Sequence, residues 1–193
     1  MGSAPAAELP PLVAGLAHAL TRARLPYMLI GGQAVLVHGR PRLTEDIDVT
    51  LGVEPDRLRD LRAVCDQLGL VVLPGDPEAF VRETFVLPAR HPGTGMRVDF
   101  VFSTTPYERQ AIERAGSVAI AGASVRVATA EDLILHKLFA GRPRDIEDAE
   151  SVVRRKGGEL DWAYVGRWAA QFAGVPGREG LPQLVKRLKT EGA

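Results

Sequence analysis

The sequence predicts an α/β fold, a mixed α/β domain followed by a helical tail. Two observations lead there. Short apolar runs of strand length alternate with segments of helical period as far as residue 128, and everything beyond Thr129 reads as helix. No internal repeat or low-complexity linker interrupts either part. We therefore divide the chain into a core, residues 1–128, and a C-terminal helical part, residues 129–193, packed on it as one domain overall. The 193 residues, 46% hydrophobic and 25% charged, are enough to bury a core.

Leu12, Leu16, Ala19 and Leu20 recur at helical spacing within Leu9–Arg24, with Pro10 and Pro11 near the first turn, and Pro26 ends the run. Tyr27–Ile30 is the first strand. Gln33–His38 is a short helix, Gly39–Arg42 a basic turn and Asp46–Val53 a second strand. Pro55 opens an amphipathic helix carrying Leu58, Leu61, Val64, Cys65 and Leu68, closed by Gly69. Leu70–Leu73, Thr84–Leu87 and Met96–Phe102 read as strands separated by turns at Pro74-Gly75 and His91–Gly95. Pro106 starts a helix to about Ala115. Val118–Ile120 and Val125–Val127 flank Ala121-Gly122-Ala123 as a hairpin. Helices follow at Ala130–Ala140, Pro143–Arg155, Trp162–Phe172 and Leu184–Leu188. Met1–Ala7 and Thr190–Ala193 are expected to fray.

With 24 basic and 24 acidic residues the formal net charge is zero, which excludes wholesale electrostatic coating of nucleic acid and leaves only local patches. Cys65 is the only cysteine, so a disulfide framework and a cysteine-based zinc site are excluded; its helical spacing makes it a core residue. No run approaches the ~18 apolar residues of a membrane span, and residues 1–8 lack a charged n-region. A cytoplasmic location with no membrane partner is expected. The four histidines show no metal spacing, and neither a Walker-type loop nor a Gly-x-Ser-x-Gly elbow is present.

Residues 30–48 carry the chemistry. Gly31-Gly32 follows the first strand and opens a helix, so backbone amides there can approach an anion. The stretch closes on Asp46-Ile47-Asp48, whose two carboxylates leave one face of a strand together. Like charges that close repel unless a cation joins them, and magnesium takes carboxylate oxygens plus substrate phosphates. A helix-cap or turn role explains one of these acids better than both. Asp99 interrupts an apolar strand and, beside a separate Asp-x-Asp strand, makes a third carboxylate. Three such acids around metal ions can activate an attacking oxygen and neutralise a leaving phosphate.

Arg42 can neutralise a triphosphate and Thr44 can bond a phosphate oxygen, although each also fits an ordinary turn. Thr129–Asp132 forms a capping box with Asp in place of Glu. In the helix it opens, Lys137 is equally compatible with snorkelling to solvent and with binding phosphate. Arg142 and Arg144 stand at the positive end of the next helix, where cations are disfavoured by a few tenths to ~1 kcal/mol. Asp145 and Asp148 offset them as first-turn acids, and a bound polyanion would account for the arginine pair.

Taken together, Gly31-Gly32, Arg42-x-Thr44-x-Asp46-Ile-Asp48, Val98-Asp99-Phe100, Glu131–Lys137 and Arg142-x-x-Asp145-x-x-Asp148 resemble the DNA polymerase β-like nucleotidyltransferase superfamily. Within it the likeness is to AbiEii-type nucleotidyltransferases, the toxin side of certain bacterial toxin–antitoxin pairs. The motifs span roughly residues 27–150. The resemblance implies a mixed sheet flanked by helices, with the acids on neighbouring strands, and transfer of a nucleoside monophosphate from an NTP. Asp46, Asp48 and Asp99 match the metal-binding acids, Asp99 the one that helps activate the acceptor hydroxyl. Gly31 and Gly32 match the phosphate-facing turn, with Arg42, Thr44 and Arg142 beside the nucleotide. Lys137 and Asp145 match a second catalytic motif. Two departures are visible: the superfamily often has Gly-Ser at Gly31-Gly32, and the gap to Asp46 is longer than in compact members. The implied cofactor is Mg2+ or Mn2+. The implied acceptor is an RNA 3′ end, tRNA first, or a protein or small-molecule hydroxyl, and the implied partner is a cognate antitoxin. The competing readings are a non-catalytic nucleotide-sensing or partner-binding subunit of the same fold and a metal-dependent phosphohydrolase.

Overall fold

The computed structural model describes residues 5–103 and 105–191, the side chains of residues 5–8 excepted. The chain divides into two compact units, each discontinuous in sequence. One contains the segment ending at Ile30 together with Thr44–Val127; the other contains Gly31–Leu43 and the segment from Ala128 onward.

The first unit is built on a seven-stranded sheet in the order β3-β4-β5-β2-β1-β7-β6. The strands are β1 (Tyr27–Ile30), β2 (Asp46–Leu51), β3 (Val71–Val72), β4 (Val86–Arg90), β5 (Arg97–Phe102), β6 (Gly116–Ile120) and β7 (Ala123–Val127). The sheet is mixed: β2 runs parallel to β5, and β1 parallel to β7, while the other neighbours are antiparallel. Alternation along β2 and β5 buries Ile47, Val49, Val98 and Phe100 on one face and leaves Asp46, Asp48 and Asp99 half-exposed on the other. The α-helices described in this unit are α1 (Pro5–Arg22), α3 (Leu58–Gln67), α4 (Pro77–Thr84) and α5 (Pro106–Arg114). Helix α1 packs on β7 and α3. Cys65 is fully buried, and that burial pushes its thiol up to about 12, so it is an inert core group.

Three expectations need correction. Helix α1 begins at Pro5, so Pro5–Ala7 are helical rather than frayed, and Pro10 and Pro11 lie inside the helix. Thr190 and Glu191 are likewise the last residues of a helix, Leu181–Glu191, and not a frayed end; the expected fraying of residues 1–4 and 192–193 lies outside the described residues. The strand expected at Thr84–Leu87 is instead the end of α4 followed by β4. Asp76 caps α4 by accepting from the Ala79 amide at 2.9 Å, with Pro77 in the first turn. The exposed Phe85 closes it in a left-handed conformation, φ 57°. Pro88 concealed β4, because proline in an apolar run argues against an interior strand.

The second unit is helical: α2 (Gly31–His38), α6 (Ala130–Ala140), α7 (Pro143–Lys156), α8 (Trp162–Phe172) and α9 (Leu181–Glu191). Helix α6 is its centre, packed by α2, α7, α8 and α9. Half of the expected capping box forms: Thr129 caps α6, but the Asp132 carboxylate returns to the Thr129 hydroxyl and not to its amide. Asp132 is fully buried and accepts Oγ1 of Thr129 at 2.8 Å and the Tyr164 hydroxyl at 2.7 Å, while its amide donates to Thr129. Among the described residues no helix is long and apolar enough to cross a membrane.

Candidate active site

In the first unit, the ladder places Asp48 opposite Asp99 on the parallel neighbour β5, and opposite Ile30 on β1. Asp46 lies two residues along β2 on the same face, one strand-width from Arg97. An Asp-x-Asp pair and a third carboxylate from a strand distant in sequence thus share one partly exposed surface. The Thr44 hydroxyl donates to the carbonyl and to Oδ1 of Asp46, both at 3.0 Å, and so orders the entry to β2. Arg97 Nε donates to both oxygens of Asp99 at 2.8 and 2.9 Å, and Asp48 is also engaged. Among the described residues no three His, Cys, Asp or Glu side chains are disposed to hold one metal ion. The donor chemistry nevertheless suits a hard cation, since magnesium is commonly held by only one or two carboxylates with substrate phosphates completing its shell.

The second unit holds a different constellation. Lys137 Nζ donates to Oδ1 of Asp145 and Oδ2 of Asp148, both at 2.8 Å. Arg142 Nε reaches Oδ2 of Asp145 at 2.6 Å, and Arg42 grips Asp148 with two donors at 3.0 and 2.9 Å. Lys137, Asp145 and Asp148 are each more than nine-tenths buried. Burial alone would raise both carboxyls. The hydrogen bonds and charges of Lys137 with Arg142 at Asp145, and of Arg42 with Lys137 at Asp148, outweigh it and hold both below the usual carboxylate range. Lys137 therefore does not snorkel, and Asp145 and Asp148 do more than offset a helix dipole. Arg42, read as a phosphate contact, is committed to Asp148 and to the Leu43 carbonyl.

Helix α2 starts with Gly31 at φ 60°, a conformation that favours glycine, and carries no acid in its first turn. Gln33, 6% exposed, lies in that turn, and its Nε2 has no hydrogen-bond partner among the described residues. Burying an amide without a partner costs about 1–3 kcal/mol.

A family described as nucleotidyl transferase AbiEii toxin, Type IV TA system, matches residues 12–183. The chain belongs to the AbiEii nucleotidyltransferase toxin family. No curated protein matches it significantly. Solved structures show the same fold at low identity. The solution structure of the antibiotic-resistance factor ANT(2″)-Ia is 20% identical over 86% of this chain and 95% of that one, with a TM-score of 0.58. A crystal structure of ANT(2″)-Ia with adenylyl-2″-tobramycin gives 18%, 96%, 99% and 0.51. An antigenic nucleotidyltransferase-like protein from Paracoccidioides brasiliensis gives 19%, 93%, 92% and 0.54. As an AbiEii protein the chain is a nucleotidyltransferase on a mixed sheet flanked by helices.

The structure also brings forward residues whose part in the site sequence reasoning missed. Asp148 read as a first-turn acid in the quoted motif, whereas it bridges Lys137 and Arg42. Arg97 carried no signal beyond sharing a strand face with Asp99. Gln33 had none, because an orphan amide is visible only once its surroundings are known.

Proposed function

We propose that this AbiEii nucleotidyltransferase moves a nucleoside monophosphate from an NTP to the 3′ hydroxyl of an RNA, tRNA first, with Mg2+ or Mn2+ as cofactor. The observation that carries the reading is the shared half-exposed face of Asp46, Asp48 and Asp99, set by the register of β2 and β5. Asp46 and Asp48 hold the divalent ion, with Asp99 as third acid. The bound ion supplies positive charge for the triphosphate and for the departing pyrophosphate.

The remaining steps belong to the chain's own groups. Asp99 accepts the proton of the acceptor hydroxyl as that oxygen bonds to the α-phosphorus. The bond from that phosphorus to the bridging oxygen then breaks, and pyrophosphate leaves. Gly31 and Gly32 present backbone amides to the nucleotide, and the Gln33 amide, a buried donor short of an acceptor, gains one when the nucleotide is bound. Thr44 and Arg142 serve the nucleotide from the turn and from the start of α7. Lys137 and Asp145 form the second catalytic motif. Arg42 contributes by fixing Asp148 more than by direct neutralisation. The family's toxin description supports a cognate antitoxin as partner, and the reading takes both to act in the cytoplasm.

The test is incubation of the protein with each α-32P-labelled NTP, Mg2+ and total RNA. Label on RNA with pyrophosphate release is the expected result. Release of inorganic phosphate alone would make the protein a hydrolase, and nucleotide binding without turnover would make it a sensing or partner-binding subunit.

A further inference from the structure

We propose that a groove in the second unit, walled by the turn 39–42 and helix α7, holds the phosphodiester backbone of the RNA acceptor. The inference rests on the acceptor being RNA and adds the surface that would grip it. The groove encloses about 420 Å³, and Arg40, Arg42, Arg144 and Arg154 line it.

Its two walls are joined at several points. The Arg40 amide donates to Ser151 Oγ at 3.1 Å, Arg155 donates to the Gly39 carbonyl at 2.9 Å, and Arg42 clamps Asp148. Gly39 permits this approach, because a Cβ there would stand 2.5 Å from Ser151 Oγ. The arginines therefore project from fixed backbone, which lowers the entropy lost when they bind.

Charge bookkeeping separates the four. Arg42 is paired with Asp148, and Arg154 lies 3.6 Å from Glu150, one helical turn away. The side chains of Arg40 and Arg144 make no hydrogen bond or ion pair among the described residues, and both are exposed. Glu147 is the one remaining acid of the lining, and Lys137 further neutralises Asp148. Arg144 also stands in the first turn of α7, where the helix dipole disfavours a cation by about 0.3–1 kcal/mol. Guanidinium forks suit phosphate oxygens bidentately. A cationic wall is the wrong sign for a polycationic acceptor such as an aminoglycoside. With zero net charge on the whole chain, attraction to RNA must be concentrated in such a patch.

The experiment is fluorescence anisotropy of a 5′-labelled 20-nucleotide single-stranded RNA with the full chain at several salt concentrations. Three proteins are compared: the parent, R40A/R144A, and K186A/K189A, which removes equal charge from exposed positions on α9. Losing two phosphate contacts should reduce the log–log salt slope by about 1.4 and weaken binding at low salt roughly tenfold or more. The α9 variant should change affinity less than about twofold by the same electrostatic reasoning. Unchanged binding in R40A/R144A, equal loss in both variants, or no RNA binding by the parent would overturn the proposal. A thermal-shift titration with Mg-NTP is run on all three. Loss of NTP binding in R40A/R144A alone would reassign the groove to the triphosphate. Absence of NTP binding in the parent would sink the transfer reading and leave the RNA result standing.

Discussion

Five aspartates carry the chemical argument, and the two units treat them in opposite ways. In the helical unit Asp145 and Asp148 are buried, and each is bonded to two cations. In the sheet unit Asp46, Asp48 and Asp99 are only partly buried on one strand face; Arg97 pairs with Asp99, and Asp48 is also engaged. A buried pair is woven into stability: removing a partner strands a charge in low dielectric. A half-exposed cluster of like charges contributes nothing comparable to folding and gains most from a cation brought by substrate. The contrast separates acids locked into buried ion pairs, whose loss costs stability whatever else they do, from acids left open to a cation that arrives with substrate.

The sharpest way to break that comparison is Asp46→Asn with Asp48→Asn. Nucleotide transfer should fall by about 10³-fold or more, as when developing charge loses its stabilising groups. The melting temperature should stay at or above the parent value, because repulsion is relieved. The checks are pyrophosphate release and a thermal melt. Activity within tenfold of the parent would remove the metal assignment, and a large loss of stability would move these acids into the structural class.

That Asp46 and Asp48 share a face was legible in the sequence, since alternation along a strand is local and both acid-bearing strands read as apolar runs. The partnership of Asp48 with Asp99 is a matter of register between strands about fifty residues apart, and no periodicity encodes it. The same limit explains the second cluster. Lys137 and Asp145 were recognisable as a motif, but Arg42 comes to Asp148 from 106 residues away. Its two ordinary readings, loop charge and phosphate contact, were the ones a turn permits. Association of residues 31–43 with the C-terminal helices is likewise a tertiary fact. Helix α4 was missed although its Asp-Pro start stood in the sequence, because Phe85 and Pro88 broke the expected pattern on its far side.

The complementary perturbation acts on the buried cluster. Lys137→Met leaves Asp145 and Asp148 with one cation each and should cost about 3 kcal/mol, at the lower end for breaking a buried pair. For a chain of this length that is roughly 6–12 °C in Tm. Acid titration sharpens the point. Both carboxyls lie below their ordinary value in the folded state, so the unfolded chain binds more protons as pH falls. Their contribution is present above the unfolded value near ~3.9 and is lost as pH drops through the lower folded value. Parent stability should therefore fall steeply below about pH 4, and the Lys137→Met protein should show a shallower slope. Equal slopes would mean that the lysine is not what depresses the acids.

Gln33→Met tests the orphan amide at the start of α2. Replacing an unsatisfied buried donor with an apolar side chain of similar size should raise stability by about 1–2 kcal/mol without nucleotide. If the donor is kept for substrate, the same change should weaken NTP binding by a similar amount, about five- to thirtyfold in Kd or KM, with a smaller effect on kcat. Thermal melts with and without Mg-NTP read both arms. A variant that is less stable and binds NTP normally would show that Gln33 is an ordinary packing residue.

The smallest expected effect lies in His38, at the end of α2, and it separates a local titration from the acid transition. Its Nε2 donates to the Ala128 carbonyl at 2.8 Å. Burial, the largest influence, lowers its pKa. The carbonyl bond and Glu131 act the other way, and Lys156 and Arg155 reinforce the decrease, leaving it below the ordinary value. Because the folded value lies below the unfolded value of about 6.5, the unfolded chain again binds the extra proton. The histidine's contribution is complete above that pH and is lost as pH falls through the folded value. Partial exposure keeps the effect small, less than about 2 °C between pH 7.5 and 5. His38→Gln should flatten the melting curve over that interval and leave the steeper fall below about pH 4 in place. If the slope between pH 7.5 and 5 persists in the variant, some other group sets it; if the acid fall shifts as well, the helix end and the buried aspartates are coupled.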